Sequence, residues 1–373
     1  MRAFALVSLL VLGCSSSSAS TPPLDSGAPD VTLHDAGADG PADAGADTGL
    51  PPVDSGPGED ATELDASDAG SCNRAEVPDG ACAVVLAAGQ TAPAGLAVDS
   101  QYVYWTLGVP EGGVYRVPID GGAIATLASG QATPLGLAVS PGAVYWTNAG
   151  DDTVWMAPLD GGLASFVMSA PGSPGAIALD ETSVYVTASA GSVYSAPLGG
   201  ITDGGAATVL ASGQQQPGAV AVDDAGVYWI NYAGPASVVS APKEGLPEGG
   251  APFVIAVSEA QPFALALDAT HVYWTAIGSG SVRVAPKTGV PDGGSPTVLA
   301  TGQATPAGIA VDATQVYFTS ETGAGALLVV PLDGGTPAPF VTGQPYANTL
   351  VLDATHVYWT DFSSDGAVVE VAK

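Results

Sequence analysis

The tetrapeptide Val-Tyr-Trp-Thr, or a near variant of it, occurs seven times: at 103–106, 144–147, 184–187, 227–230, 272–275, 316–319 and 357–360. Successive copies are 41, 40, 43, 45, 44 and 41 residues apart. A period of about 40–45 residues divided into short strands is the signature of propeller blades. Each unit has four strand-length pieces. The first is PAGLAVD at 93–99 and its copies, the second is the VYWT strand, and the third is a run such as GGVYRVPID at 112–120. A Gly-rich turn such as Asp120-Gly121-Gly122 leads to a short apolar fourth piece, ATLASGQ at 125–131. Glycine there permits the positive φ of a tight hairpin. The longer units carry extra residues in that hairpin, which accounts for the longer spacings. No segment between the 50 glycines and 31 prolines keeps a 3.6-residue apolar period, so helix is a poor competitor.

The expected fold is therefore all-β: a seven-bladed β-propeller of four-stranded blades over residues 83–373. The last unit stops after its third strand, at Ala367–Lys373, whereas Ala83–Gln90 has the fourth-strand pattern. The N-terminal strand is expected to complete the last blade, which would remove the open sheet edges of an unclosed array. Strands buried on both faces read as near-continuous apolar runs. That fits a chain with only 12% charged residues, against about 25% in ordinary globular domains. A core of this size needs no cofactor.

The repeats, with PxGLAVD and PLDGG, resemble the YWTD repeat of low-density-lipoprotein-receptor-type β-propellers over 93–373. Two departures are plain. Those domains usually have six blades, and the fourth motif residue is Asp here only at Asp361. The other six units carry Leu107, Asn148, Ala188, Asn231, Ala276 or Ser320 there. The resemblance implies a binding or scaffold role.

Residues 1–13 read as a signal peptide: Arg2, a short apolar run, then Val11-Leu12-Gly13 before Cys14. The run is too short to span a membrane as a helix. It resembles the lipobox of bacterial lipoproteins, which implies cleavage before Cys14, acylation of that residue, and by family analogy an outer-membrane anchor facing the periplasm or the outside. Residues 14–71 follow as a tether with twelve acids and no Lys or Arg. Such a stretch cannot bury enough apolar area to offset its ordering entropy, and its charges repel. The spacing Asp35, Asp39, Asp43, Asp47 raises calcium, but no loop pattern converges six to eight oxygens. Loose counter-ion attraction is the expectation. In an oxidising compartment Cys72 and Cys82 are expected to form a disulfide closing the 72–82 loop.

Catalytic groups are sparse. His271 and His356 occupy one repeat slot just before a VYWT strand, so they are spread around the ring. The first-strand acids Asp99, Asp180, Asp223, Asp268, Asp312 and Asp353 resemble a metal ring, yet their recurrence points to turn caps. A Gly-Gln recurs before the first strands, at Gln90, Gln131, Gln214, Gln303 and Gln344, and is expected to bind backbone. The second-to-third loops do not repeat, and binding sites gather in such loops on rigid scaffolds. Their candidate ligand-binding residues are Glu111, Asn148, Asp151, Asp152, Asn231, Tyr232, Glu321, Asp361, Phe362 and Asp365.

The formal charge is −30, and from residue 72 onward 25 acids face six basic residues. A phosphate backbone and anionic lipid headgroups would be repelled, which excludes nucleic acid and leaves membrane attachment to the acyl chains on Cys14. The expected function is a monomeric, non-enzymatic, membrane-anchored binding or scaffold lipoprotein that uses one propeller face for a protein or glycan ligand. Two alternatives stand beside it: an envelope-assembly partner of an outer-membrane protein, and a propeller lyase or hydrolase with a divalent metal.

Overall fold

A computed structural model describes residues 83–373 apart from 203–204, 248–249, 292–293, 321–324 and 345. Cys14, the acidic segment, Cys72 and Cys82 with their expected disulfide, and Glu321 lie outside the described residues. The rest forms seven four-stranded antiparallel sheets. A 3-10 turn spans Ile277–Ser279.

Blades 1 to 7 start with the inner strands Pro93–Val98, Pro134–Val139, Pro174–Leu179, Pro217–Val222, Pro262–Leu267, Pro306–Val311 and Ala347–Leu352. Each inner strand lies beside those of the neighbouring blades, and the first lies beside the last. The second strand of each blade is the VYWT strand. Blade 7 is Ala347–Leu352, His356–Asp361, Gly366–Ala372 and, outermost, Val84–Gln90. In that outer pair Val84 lies opposite Glu370 and Gln90 opposite Gly366.

The period of two along VYWT explains the packing. Val227 and Trp229 face blade 3, among Tyr185, Ala176 and Leu210. Tyr228, one residue between them, belongs instead to the core cluster shared with Leu265 and Trp274 of blade 5. Trp105, Trp146, Trp229, Trp274 and Trp359 are all fully buried.

The motif threonine locks one blade to the next. Thr106 Oγ1 accepts from the Gly95 N–H (2.8 Å) and donates to the Leu135 carbonyl of blade 2 (2.7 Å). Thr147, Thr187 and Thr275 donate in the same way to Gly175, Gly218 and Ala307. Between blades 7 and 1, Thr349 donates to the Ala94 carbonyl at 2.7 Å. This approach leaves no room for a side chain at Gly95: a Cβ there would stand 2.2 Å from the Leu135 oxygen.

Candidate binding face

The two faces of the ring use their polar residues differently. On the face that carries the first-to-second turns, the recurring aspartates are caps. Asp99 Oδ1 accepts from the N–H groups of Gln101 and Tyr102, and Oδ2 accepts from the Tyr104 hydroxyl at 2.7 Å. Asp180, Asp268 and Asp353 repeat all three bonds. Lysines then tie blades together: Lys243 to Asp180 at 3.0 Å, Lys373 to Asp312 at 3.3 Å, and Lys287 to Asp223. Burial opposes ionisation of Asp180, but bonds from Thr182, Lys243, Tyr185 and Ser183 outweigh it and hold the carboxyl down at about 2. His271 and His356 sit in these turns, each with Nδ1 2.8 Å from the preceding threonine hydroxyl. Among the described residues no three His, Cys, Asp or Glu side chains converge as metal ligands would.

On the opposite face, where the second-to-third and fourth-to-first loops meet, the recurring glutamine has two bonds at Gln90, Gln131 and Gln214. Its Nε2 donates to the backbone two residues back, as at Gln90 and Gln131. Its Oε1 accepts the indole N–H fifteen residues on, in the next blade: Gln90 from Trp105, Gln131 from Trp146, Gln214 from Trp229 and Gln344 from Trp359. In blade 5 the acceptor is a carboxylate instead. Glu259 Oε2 takes the Trp274 N–H at 3.0 Å, and Arg283 lies 3.3 Å away.

The sequence-derived candidates fall on blades 1, 2, 4 and 7 of this face. Asn148 and Asn231 are buried, and each donates from Nδ2 to its glutamine Oε1 at 3.1 Å. Asp152, at φ 60°, accepts from the N–H groups of Gly172 and Ser173 and so fixes two loops to each other. Asp361 is partly buried with an unpartnered Oδ1. Tyr232 and Phe362 are partly exposed, and their backbone N–H groups bind Gln216 and Tyr346. Glu111 and Asp365 are exposed. Of the blade 2 trio, Asp151 alone is fully on the surface, where its Oδ1 accepts from the Thr153 hydroxyl at 2.5 Å.

That bond leads to residues the loops alone did not point to. Thr153 Oγ1 also accepts the Trp155 indole N–H at 2.9 Å. Trp155 packs edge-on against Phe166, which is 44% exposed. The same third-strand slot, opposite the motif's third residue, holds Tyr115 in blade 1 and Tyr194 in blade 3. Tyr115 stacks on Trp105, and the Tyr194 hydroxyl donates to the Pro171 carbonyl. All three rings are partly exposed. Blades 4, 6 and 7 have Val239, Leu328 and Val369 there. Three consecutive blades thus present an arc of rings, each held in place. The signal in the sequence was an aromatic residue in this slot in only three of seven repeats.

No family description and no curated protein sequence matches the chain. Solved structures do match. A streptogramin B lyase aligns with a TM-score of 0.66 at 12% identity, over 80% of this chain and 100% of the other. Virginiamycin B lyase from Staphylococcus aureus aligns at 0.60 and 14%, over 78% and 98%. A chain of a nidogen/laminin complex aligns at 0.48 and 19%, over 62% and 89%. At such identities the likeness to the two lyases is one of fold, which many functions share.

Proposed function

We propose that this protein is a non-enzymatic binding lipoprotein that captures an uncharged or basic glycan or peptide along the aromatic arc of blades 1 to 3. The observation that carries this reading is the chain Asp151–Thr153–Trp155, which holds an indole beside a half-exposed Phe166 and an exposed carboxylate. Aromatic rings offer a large apolar contact with little entropy to lose, suited to the C–H face of a sugar or to an aliphatic side chain. The adjacent carboxylate accepts from hydroxyl or ammonium groups, and the surplus of acids turns anionic ligands away. The recurring acids and glutamines are spent on turns and indoles, so they take no part. A lipid anchor on Cys14 would hold this domain at the outer membrane.

The test is capture on arrays of neutral and amino-bearing glycans and of basic peptides. Trp155→Leu and Tyr194→Val introduce residue types that other blades already carry in this slot. They should abolish capture and leave the melting temperature within a few degrees. Capture by the wild type of neither class, or capture untouched by both substitutions, overturns the reading. Retention of peptides alone assigns the ligand to protein, and of glycans alone to carbohydrate. The likeness to two lyases is one of fold, and a lyase or hydrolase with a divalent metal stays the alternative reading, to be tested by whether added divalent ion raises the melting temperature and chelator lowers it.

A further inference from the structure

Blade 7 is assembled from both ends of the described chain, and two of its acids keep a buried oxygen with no hydrogen-bond partner: Asp361 Oδ1 and Glu370 Oε2. The repeat provides its own control for the first. Asn148 and Asn231 occupy the slot of Asp361, and their amide N–H groups satisfy the glutamine oxygen that also takes the indole N–H. Asp361 stands beside the Trp359 indole, whose N–H goes to Gln344 Oε1. An ionised carboxylate has no hydrogen to give Gln344 Oε1. A carboxylic acid carries one, as the amides of blades 2 and 4 do.

Glu370 stands in the third strand, opposite Tyr358 on one side and Val84 on the other. The charges facing it are Asp353, from the inner-strand turn of its own blade, and Asp120, from the turn of blade 1. The outer strand Val84–Gln90 has no ionisable side chain. Lys373 is turned to Asp312 and to the Asp353 carbonyl, and the Tyr358 hydroxyl is given to Asp353. Among the described residues no salt bridge reaches Glu370. The acid nearest Asp361 along its hairpin is Asp365, which is exposed.

We propose that blade 7 is a proton-operated clasp, in which protonation of Asp361 and Glu370 tightens the pairing of the two chain ends and ionisation loosens it. Burial pushes Asp361 up to about 6. Burial, then Asp353 and Asp120, push Glu370 up to about 7. Both values lie above the unfolded ones of 3.8 and 4.5, so the folded state holds the extra protons. Their contribution is complete below about pH 4 and is lost as pH rises through 6 and 7.

Hydrogen exchange of the full chain, corrected for intrinsic rates, tests this. Between pH 5 and 7.5, protection of 84–90 and 366–372 should fall by about tenfold or more. Strands 174–179 and 183–188 of blade 3 should change much less. The double variant Asp361→Asn, Glu370→Gln should hold the blade 7 protection at its low-pH level throughout. Asp361→Asn recreates the arrangement already present in blades 2 and 4, and Glu181→Gln, on the surface of blade 3, serves as the control that leaves the pH response intact. An equal fall in all blades, or an undiminished response in the double variant, overturns the clasp.

Discussion

The Trp274 indole N–H donates to Glu259 Oε2 at 3.0 Å, whereas Trp105, Trp146, Trp229 and Trp359 each donate to a glutamine. The Glu259 side chain is 1% exposed, and Arg283 at 3.3 Å is its counter-charge. Breaking such a pair from one side strands a buried charge. Arg283→Met should therefore cost about 3 kcal/mol, and much less once Glu259→Gln has removed the carboxylate. Urea unfolding of the two single variants and the double variant measures the coupling. Purely additive costs would mean that Arg283 does not serve Glu259.

Thr147 joins blades 2 and 3 through the Gly136 N–H and the Gly175 carbonyl, at 3.0 and 2.8 Å. Thr147→Val keeps the shape and strips both bonds, leaving a buried N–H without its acceptor. A loss of about 1–3 kcal/mol is expected in urea. Blade 4 carries Ile230 in this position, so Ile230→Val, which has no such bond to lose, is the matched control and should cost about 1 kcal/mol or less.

The capped aspartates set the acid limit of the fold. Asp180 is held at about 2 against 3.8 unfolded, and Asp268, Asp312 and Asp353 are also lowered. A depressed carboxylate contributes stability that is present above its unfolded pKa and lost as pH falls toward the folded one. The melting temperature should hence drop steeply between about pH 4 and pH 2. Combined with the blade 7 acids, this places maximal stability near pH 4 to 5. Asp180→Asn should flatten the acid limb in a pH series of thermal melts. An unchanged limb would show that its cap and lysine contacts do not distinguish the ionised form.

Thr153 is the link that orients both Trp155 and Asp151. Thr153→Val should cost less than about 1 kcal/mol, as expected for one partly exposed hydroxyl. It should nonetheless shift the tryptophan emission toward the red and weaken capture on the arc. Emission and capture that both match the wild type would remove Thr153 from the site.

Much of this architecture was written in the chain. The seven VYWT copies set the blade number. The alternation within each strand set which residues face which neighbour, because a β-strand exposes successive side chains to opposite faces. Even the cap role of Asp99 and its equivalents followed from their recurrence at a turn, since the atoms involved are three to five residues apart. What the sequence left open were bonds made between blades. That Gln131 would serve both Trp146 and Asn148, fifteen and seventeen residues on, depends on how one sheet lies against the next. The same holds for the burial of Asp361 and Glu370, and for the arc of Tyr115, Trp155 and Tyr194. A local pattern determines a strand and its turn, because the interacting groups are chain neighbours. The environment of a carboxyl or a ring is decided only when the ring of blades brings distant segments together and excludes water between them.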